Sequence, residues 1–156
     1  MDASTRNTLR NAVTGCRKIL ETAVSELLEG RYGIDKKGTI TPHERMEHLS
    51  AEDKRFRNDL IAHLEHIQAS GYSKKDAAGQ LVREVAFTHL NRLCAYKILE
   101  TRGYIRESVS RGIRSNGFLR YCAEHPEDEQ LYSSGKQDAA YRHYLGWLGA
   151  SLNEEI

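Results

Sequence analysis

Five arginines fall within 19 residues: Arg102, Arg106, Arg111, Arg114 and Arg120. Ser108, Ser110, Ser115 and Asn116 are interleaved with them, beside the aromatics Tyr104 and Phe118. Guanidinium groups with short hydroxyl and amide side chains make up the usual phosphate-contact set. Glycines at 112 and 117 would let backbone N–H groups approach a phosphate. The competing reading is a solvated loop, neutralised by the acidic segment 124–129. Composition alone favours that second reading.

Other residue sets offer less. His63 and His66 stand three apart, near enough to share a helical face, and His43 and His48 lie just upstream among carboxylates. A zinc site needs three or four convergent ligands at recognisable spacing, and there is neither an HExxH nor a Cys/His cluster. We therefore expect no metal site. Cys16, Cys94 and Cys122 form an odd set without a CxxC pair, two of them inside apolar helical pattern. They read as reduced, buried thiols of a cytoplasmic protein. Asn91 and Arg92 interrupt an apolar run, where an arginine must snorkel, pair with a carboxylate or face a ligand. The structural reading is a buried clamp that ties its helix to a neighbour or to a following domain. Tyr141, Tyr144 and Trp147 recur at helical spacing, as a core stripe or as a face that meets another part of a longer protein.

The elements that must position these residues are helical. The chain of 156 residues has two prolines, and its glycines sit mostly where helices would end. Leu9, Ala12, Val13, Cys16, Ile19, Leu20, Ala23, Val24, Leu27 and Leu28 follow the i, i+3, i+4, i+7 rule over residues 5–29. The spacing predicts a long amphipathic helix, with Ser4 as N-cap and Gly30 as its stop, that buries this stripe. Three glycines between residues 30 and 40 predict a turn with very short extended pieces near 31–40. Thr41, Pro42 and Glu44 make a capping-box pattern for a short helix ending near Leu49. Ser50 with Asp53 starts a helix to about residue 69, with Phe56, Leu60, Ile61, Leu64 and Ile67 as its core face. Ser73 with Asp76 starts the next, about residues 75–101, closed by Gly103. Its apolar positions run round most of the surface, so it should be the central helix. Residues 107–117 read as a loop. A short helix should follow at 118–122, ending before His125-Pro126. Glu127-Asp128-Glu129 reads as an acidic turn or as the first turn of another helix, and a last helix should cover about 136–154. The expectation is an all-α single domain over residues 1–156, of about five or six helices.

Charge is unevenly spread. Residues 83–120 carry eight Lys and Arg against three Asp and Glu, and residues 121–156 carry two against seven. The pattern fits a nucleic-acid surface, or two segments that pack together. No apolar run approaches the roughly 20 residues that span a bilayer, so no membrane partner is expected. The chain closes on Asn153-Glu154-Glu155-Ile156, with carboxylates opposing the helix dipole, which reads as a cut in a longer polypeptide.

One motif adds a resemblance. Phe87-Thr88-His89-Leu90-Asn91-Arg92-Leu93 is followed by Glu100-Thr101-Arg102-Gly103-Tyr104. An aromatic–Thr–x–x–Asn–Arg–Leu helix ending in Glu-x-x-Gly-Tyr resembles the N-terminal helical region of large adenine-specific DNA methyltransferases of phage-defence systems, the BREX (PglX) and DISARM kind. The resemblance covers about residues 75–156. It implies a non-catalytic N-terminal domain of an S-adenosylmethionine-dependent adenine-N6 DNA methyltransferase. Its implied partners are double-stranded DNA, the remainder of the parent enzyme and other defence-system proteins. Such catalysis needs a glycine-rich turn after a strand and a Pro-Pro-aromatic loop for the flipped base. Neither is present, so no catalytic residue and no cofactor is expected in this chain, and S-adenosylmethionine belongs to the parent.

Two other readings stay open. One is a stand-alone helical protein-interaction module without nucleic-acid affinity. The other is a small DNA-binding regulator, since residues 51–69 and 75–101 form a helix pair joined by a glycine-containing turn. The second helix of that pair is too apolar to read a groove.

Overall fold

A computed structural model describes residues 2–154, the last by its backbone alone. The fold is all-α. Six helices are present among the described residues: α1 (Ala3–Gly30), α2 (Ala51–Ala69), α3 (Lys74–Thr101), α4 (Asn116–Glu124), α5 (Pro126–Ser133) and α6 (Gln137–Glu154). Short 3-10 turns occupy His43–Met46 and Gly112–Arg114. The chain divides into two compact units, residues 1–91 and 92–156, so that α3 contributes to both. The reading of Glu155 and Ile156 as a cut end falls outside the described residues.

The first unit packs α1, α2 and the N-terminal part of α3 around Val24, Leu28, Leu60, Leu64, Ile67 and Leu81. Local chemistry sets the helix starts. Ser50 Oγ accepts the Asp53 N–H at 3.0 Å, and Ser73 Oγ accepts that of Asp76 at 3.1 Å, so both expected caps form. The segment between α1 and α2 makes a single antiparallel bridge, Ile34 to Ile40, which is the short extended element expected near 31–40. Gly38 has φ +78°, and a Cβ there would stand 2.3 Å from the Lys74 carbonyl. Only glycine lets the turn approach the start of α3 so closely.

The residue that holds this segment is Arg57, 3% exposed. Its Nε donates to the Tyr32 carbonyl at 2.8 Å, and a terminal NH2 group donates to the Thr41 carbonyl. Asp53, on the same helix, accepts two bonds from Arg31, at 3.0 and 2.8 Å, and one from the Tyr32 hydroxyl at 3.2 Å. The Arg31 guanidinium is the main cause holding the Asp53 carboxyl below its ordinary value. Thus α2 supplies donors to the irregular backbone of residues 31–41 through Arg57 and an acceptor to its side chains through Asp53.

Several expectations are corrected here. The α1 stripe is buried only at its C-terminal end, at Val24 and Leu28, while Leu9, Val13 and Ile19 (71% exposed) face solvent. The N-cap of α1 is Asp2, whose carboxylate accepts the Thr5 N–H at 2.6 Å, rather than Ser4. Thr41 makes no side-chain cap, because the chain there forms a 3-10 turn with Pro42 at its N-cap, and the Thr41 carbonyl is held by Arg57. Phe56 is exposed, its ring tilted against that of Tyr32. Nor is α3 buried on most sides. Phe87 is 59% exposed and Ile98 and Cys94 are exposed, so its apolar residues outnumber the partners available to cover them. Cys16 is exposed as well, and only Cys122 is buried.

Arg57→Ala would remove the guanidinium donor from two carbonyls, those of Tyr32 and Thr41. At roughly 1–3 kcal/mol for each acceptor that loses its donor, the first unit should lose about 2–6 kcal/mol. Urea unfolding followed by far-ultraviolet circular dichroism measures this. A midpoint equal to that of the wild type would remove Arg57 from its structural role.

Candidate nucleic-acid interface

The five arginines all belong to the second unit, and their scaffold is an ordered loop rather than a loose one. Its organiser is Glu100, in the last turn of α3 and only 9% exposed at its side chain. The carboxylate Oε2 accepts the backbone N–H groups of Ser108 at 2.8 Å, Val109 at 2.8 Å and Ser110 at 3.3 Å. Oε1 accepts from the Ser110 hydroxyl and from Lys97 Nζ. Burial by itself would raise this carboxyl, but the hydrogen bonds from Ser110, Val109, Ser108 and Lys97 together hold it far below the ordinary carboxylate range.

Ser108 ties the loop to the helices behind it. It is fully buried. Its hydroxyl bonds the Tyr144 hydroxyl, and its carbonyl accepts from Tyr141 Oη at 2.7 Å and from Ser115 Oγ at 3.2 Å. Gly117 closes the loop by donating its N–H to the Glu107 carbonyl at 2.8 Å. A Cβ on Gly117 would stand 2.4 Å from the Tyr144 hydroxyl, so only glycine fits this approach. The Gly112 N–H is spent on the Val109 carbonyl. The N–H groups of both glycines are thus engaged within the loop itself.

The α4–α6 framework is aromatic. Phe118 is fully buried and meets Tyr132, Tyr141 and Tyr144 at centroid distances of 5.8, 5.2 and 5.6 Å. Tyr121 donates to Asp128 Oδ2 at 2.6 Å, and His143 Nδ1 lies 2.6 Å from Asp128 Oδ1. Burial, then the bond to Asp128, pushes the Tyr121 hydroxyl well up. Burial first, then the carboxylates of Asp128 and Glu129, pushes the Cys122 thiol up, which makes it a poor nucleophile.

This framework divides the arginines. Arg111 pairs with Glu107 at 2.8 Å, and Arg120 with Glu124 at 2.9 Å. Arg102, Arg106 and Arg114 are exposed and make no ion pair or side-chain hydrogen bond among the described residues. Arg106 and Arg120 line one shallow pocket of about 210 Å³, with Trp147 on its wall and Tyr144 and Ser108 among its lining. Only Arg120 meets the acidic segment 124–129, so that segment does not neutralise the loop as a whole.

The other expected residues separate. Asn91 and Arg92 are both exposed, so Arg92 is not a buried clamp to a neighbouring helix among the described residues. The α3 backbone turns Arg92 toward an open groove that it lines with Tyr96, Leu99 and Gly149. Among the described residues the buried arginine is Arg57, which the sequence reading missed. Its only sequence signal was a cation at position i−3 from a core leucine, Leu60. Tyr144 is buried and Tyr141 half-buried, as a core stripe requires, while Trp147 is 44% exposed. His63 bonds Glu84 at 2.6 Å and stacks against His66. No group of three or more His, Cys, Asp or Glu residues converges on a metal-sized space among the described residues. Among them too, no helix is long and apolar enough to cross a membrane.

No protein-family model, curated protein or solved structure matches this chain.

A carboxyl held low in the folded state stabilises fully above the unfolded value, 4.5, and loses that contribution as pH falls through its folded value. Protection of the Ser108 and Val109 amides against hydrogen exchange should therefore be constant above about pH 4.5 and decline below it. Glu100→Gln should lower the same protection already at neutral pH. Unchanged protection in that variant would show that the carboxylate does not hold the loop.

Proposed function

We propose that the arginine-bearing loop contacts nucleic-acid phosphates, as part of a non-catalytic N-terminal domain of an S-adenosylmethionine-dependent adenine-N6 DNA methyltransferase in an anti-phage defence system. The observation that carries the reading is the set of exposed, unpaired guanidinium groups on Arg102, Arg106 and Arg114, beside a loop whose backbone Glu100 holds. A fixed loop loses little entropy when it meets a phosphate backbone. Arginines already paired to a carboxylate must first give up that partner, so Arg111 and Arg120 contribute less. The methyltransferase context rests on the Phe87–Leu93 and Glu100–Tyr104 motifs. In that context the domain works in the cytoplasm, docks on the catalytic part of the parent and on other defence proteins, and leaves S-adenosylmethionine to the parent.

A second reading is favoured by α1. Its exposed Leu9, Val13 and Ile19 form an unpartnered apolar stripe, as a helical protein-interaction module would present.

Binding to a mixed-sequence duplex across a salt series separates the two. The wild type should bind with a steep dependence of log K on log salt. Changing Arg102, Arg106 and Arg114 to alanine should weaken binding and lower the slope by about 2.7, at about 0.9 for each phosphate that is no longer neutralised. Changing Arg111 and Arg120 should do less. If the wild type is not retained at low salt, the phosphate reading fails, and the α1 face becomes the basis of function.

A further inference from the structure

The first unit contains a pocket that the arginine loop does not share. It lies between the C-terminal half of α1, the turn after Ile34 and the start of α3, and encloses about 320 Å³. This is within the lower range of small-molecule sites. Its floor is apolar, with Leu28 and Ile34 buried and Val82 half-buried. Its rim carries Lys18, Lys36 and Arg83.

The rim also carries two carboxylates, and both are engaged. Glu21 pairs with Arg17 at 2.9 Å. Asp35 accepts the Lys37 and Thr39 N–H groups, each at 2.8 Å. Lys18 and Lys36 make no ion pair among the described residues, and Arg83 bonds only the Gln80 amide oxygen. Asp35 keeps its charge, since its donors are neutral N–H groups. Glu21 is offset by Arg17, and the three rim cations outnumber the two carboxylates, so the rim is net positive above an apolar floor.

Gly79 is the independent observation. It sits inside α3 on the pocket wall, where glycine weakens a helix relative to alanine. Packing does not require it, since an added Cβ would meet only the end of the Arg83 guanidinium, at 3.4 Å. A methyl group would fit at this point of the wall, whereas a larger side chain would enter the pocket.

We propose that this pocket binds a small amphiphilic anion, a carboxylate or phosphate ester whose apolar body lies on Leu28, Ile34 and Val82. Lys18 and Lys36 supply point charges to the anionic head. Arg83 supplies a planar donor pair that suits either a carboxylate or a phosphate. The site is separate from the arginine loop and stands or falls independently of the nucleic-acid reading.

The test is titration of the full chain, labelled with nitrogen-15, by octanoate and by adenosine monophosphate, with inorganic phosphate as the reference. One of the two amphiphiles should shift the Lys36, Gly79 and Val82 amides saturably, at least about tenfold more tightly than phosphate does. Which one does so identifies the body of the ligand. Gly79→Leu fills the pocket and should abolish the shifts, whereas Gly79→Ala should keep them and raise the thermal midpoint. Changing Lys36 and Arg83 together to glutamine, at the exposed rim, should weaken binding about tenfold without altering the fold. Absence of saturable shifts with both amphiphiles overturns the proposal. So does binding no tighter than that of phosphate, or undiminished binding to the glutamine variant.

Discussion

The second unit depends on one carboxylate collecting backbone donors. Residues 105–115 have no regular secondary structure apart from a single 3-10 turn, so their N–H groups need partners from elsewhere. Glu100 supplies acceptors to three consecutive residues, Ser108 to Ser110, from the end of α3. Once Ser108 is fixed there, its hydroxyl and carbonyl become the attachment points for Tyr144, Tyr141 and Ser115. The order of dependence runs from α3 to the loop and from the loop to α6. Arginines attached to such a loop are displayed at fixed backbone positions.

The first unit solves the same problem with the opposite charge. Its irregular segment, residues 31–41, presents carbonyls that need donors, and the buried Arg57 provides them. Asp53 then fixes the Arg31 and Tyr32 side chains at the same place. A guanidinium suits this task because its donors point in several directions from one plane. One helix, α2, therefore carries both the donor and the acceptor that organise the segment before it. The turn so fixed forms one wall of the pocket above Leu28 and Ile34.

The charge asymmetry of the chain is resolved locally rather than globally. Arg111 and Arg120 meet carboxylates four residues away, as helical and turn geometry allows. Several of the acidic residues after position 121 do other work. Asp128 is buried between Tyr121 and His143, while Glu127 and Glu129 lie in the first turn of α5, where they favour the helix dipole. The acidic segment is thus a helix start built into the aromatic core, and three arginines stay free.

What the sequence determined by itself is the set of helices and their ends. Apolar spacing located α1, α2, α3 and α6, and the serine caps at Ser50 and Ser73 with the glycine stops at Gly71 and Gly103 marked the boundaries, because these signals are local. It also located the arginine cluster, which is a matter of composition. Only the tertiary structure decided which apolar residues are covered. Leu9, Ile19, Phe87 and Ile98 carry the same pattern as Leu28 and Tyr96, and periodicity cannot say whether another element stands opposite. It likewise decided that the buried arginine is Arg57 rather than Arg92, and that Glu100 is a loop organiser rather than a surface charge. Those roles arise from partners 8 to 25 residues away in sequence. The contact of a side chain with a distant backbone group is a property of the folded path, and no local pattern encodes it.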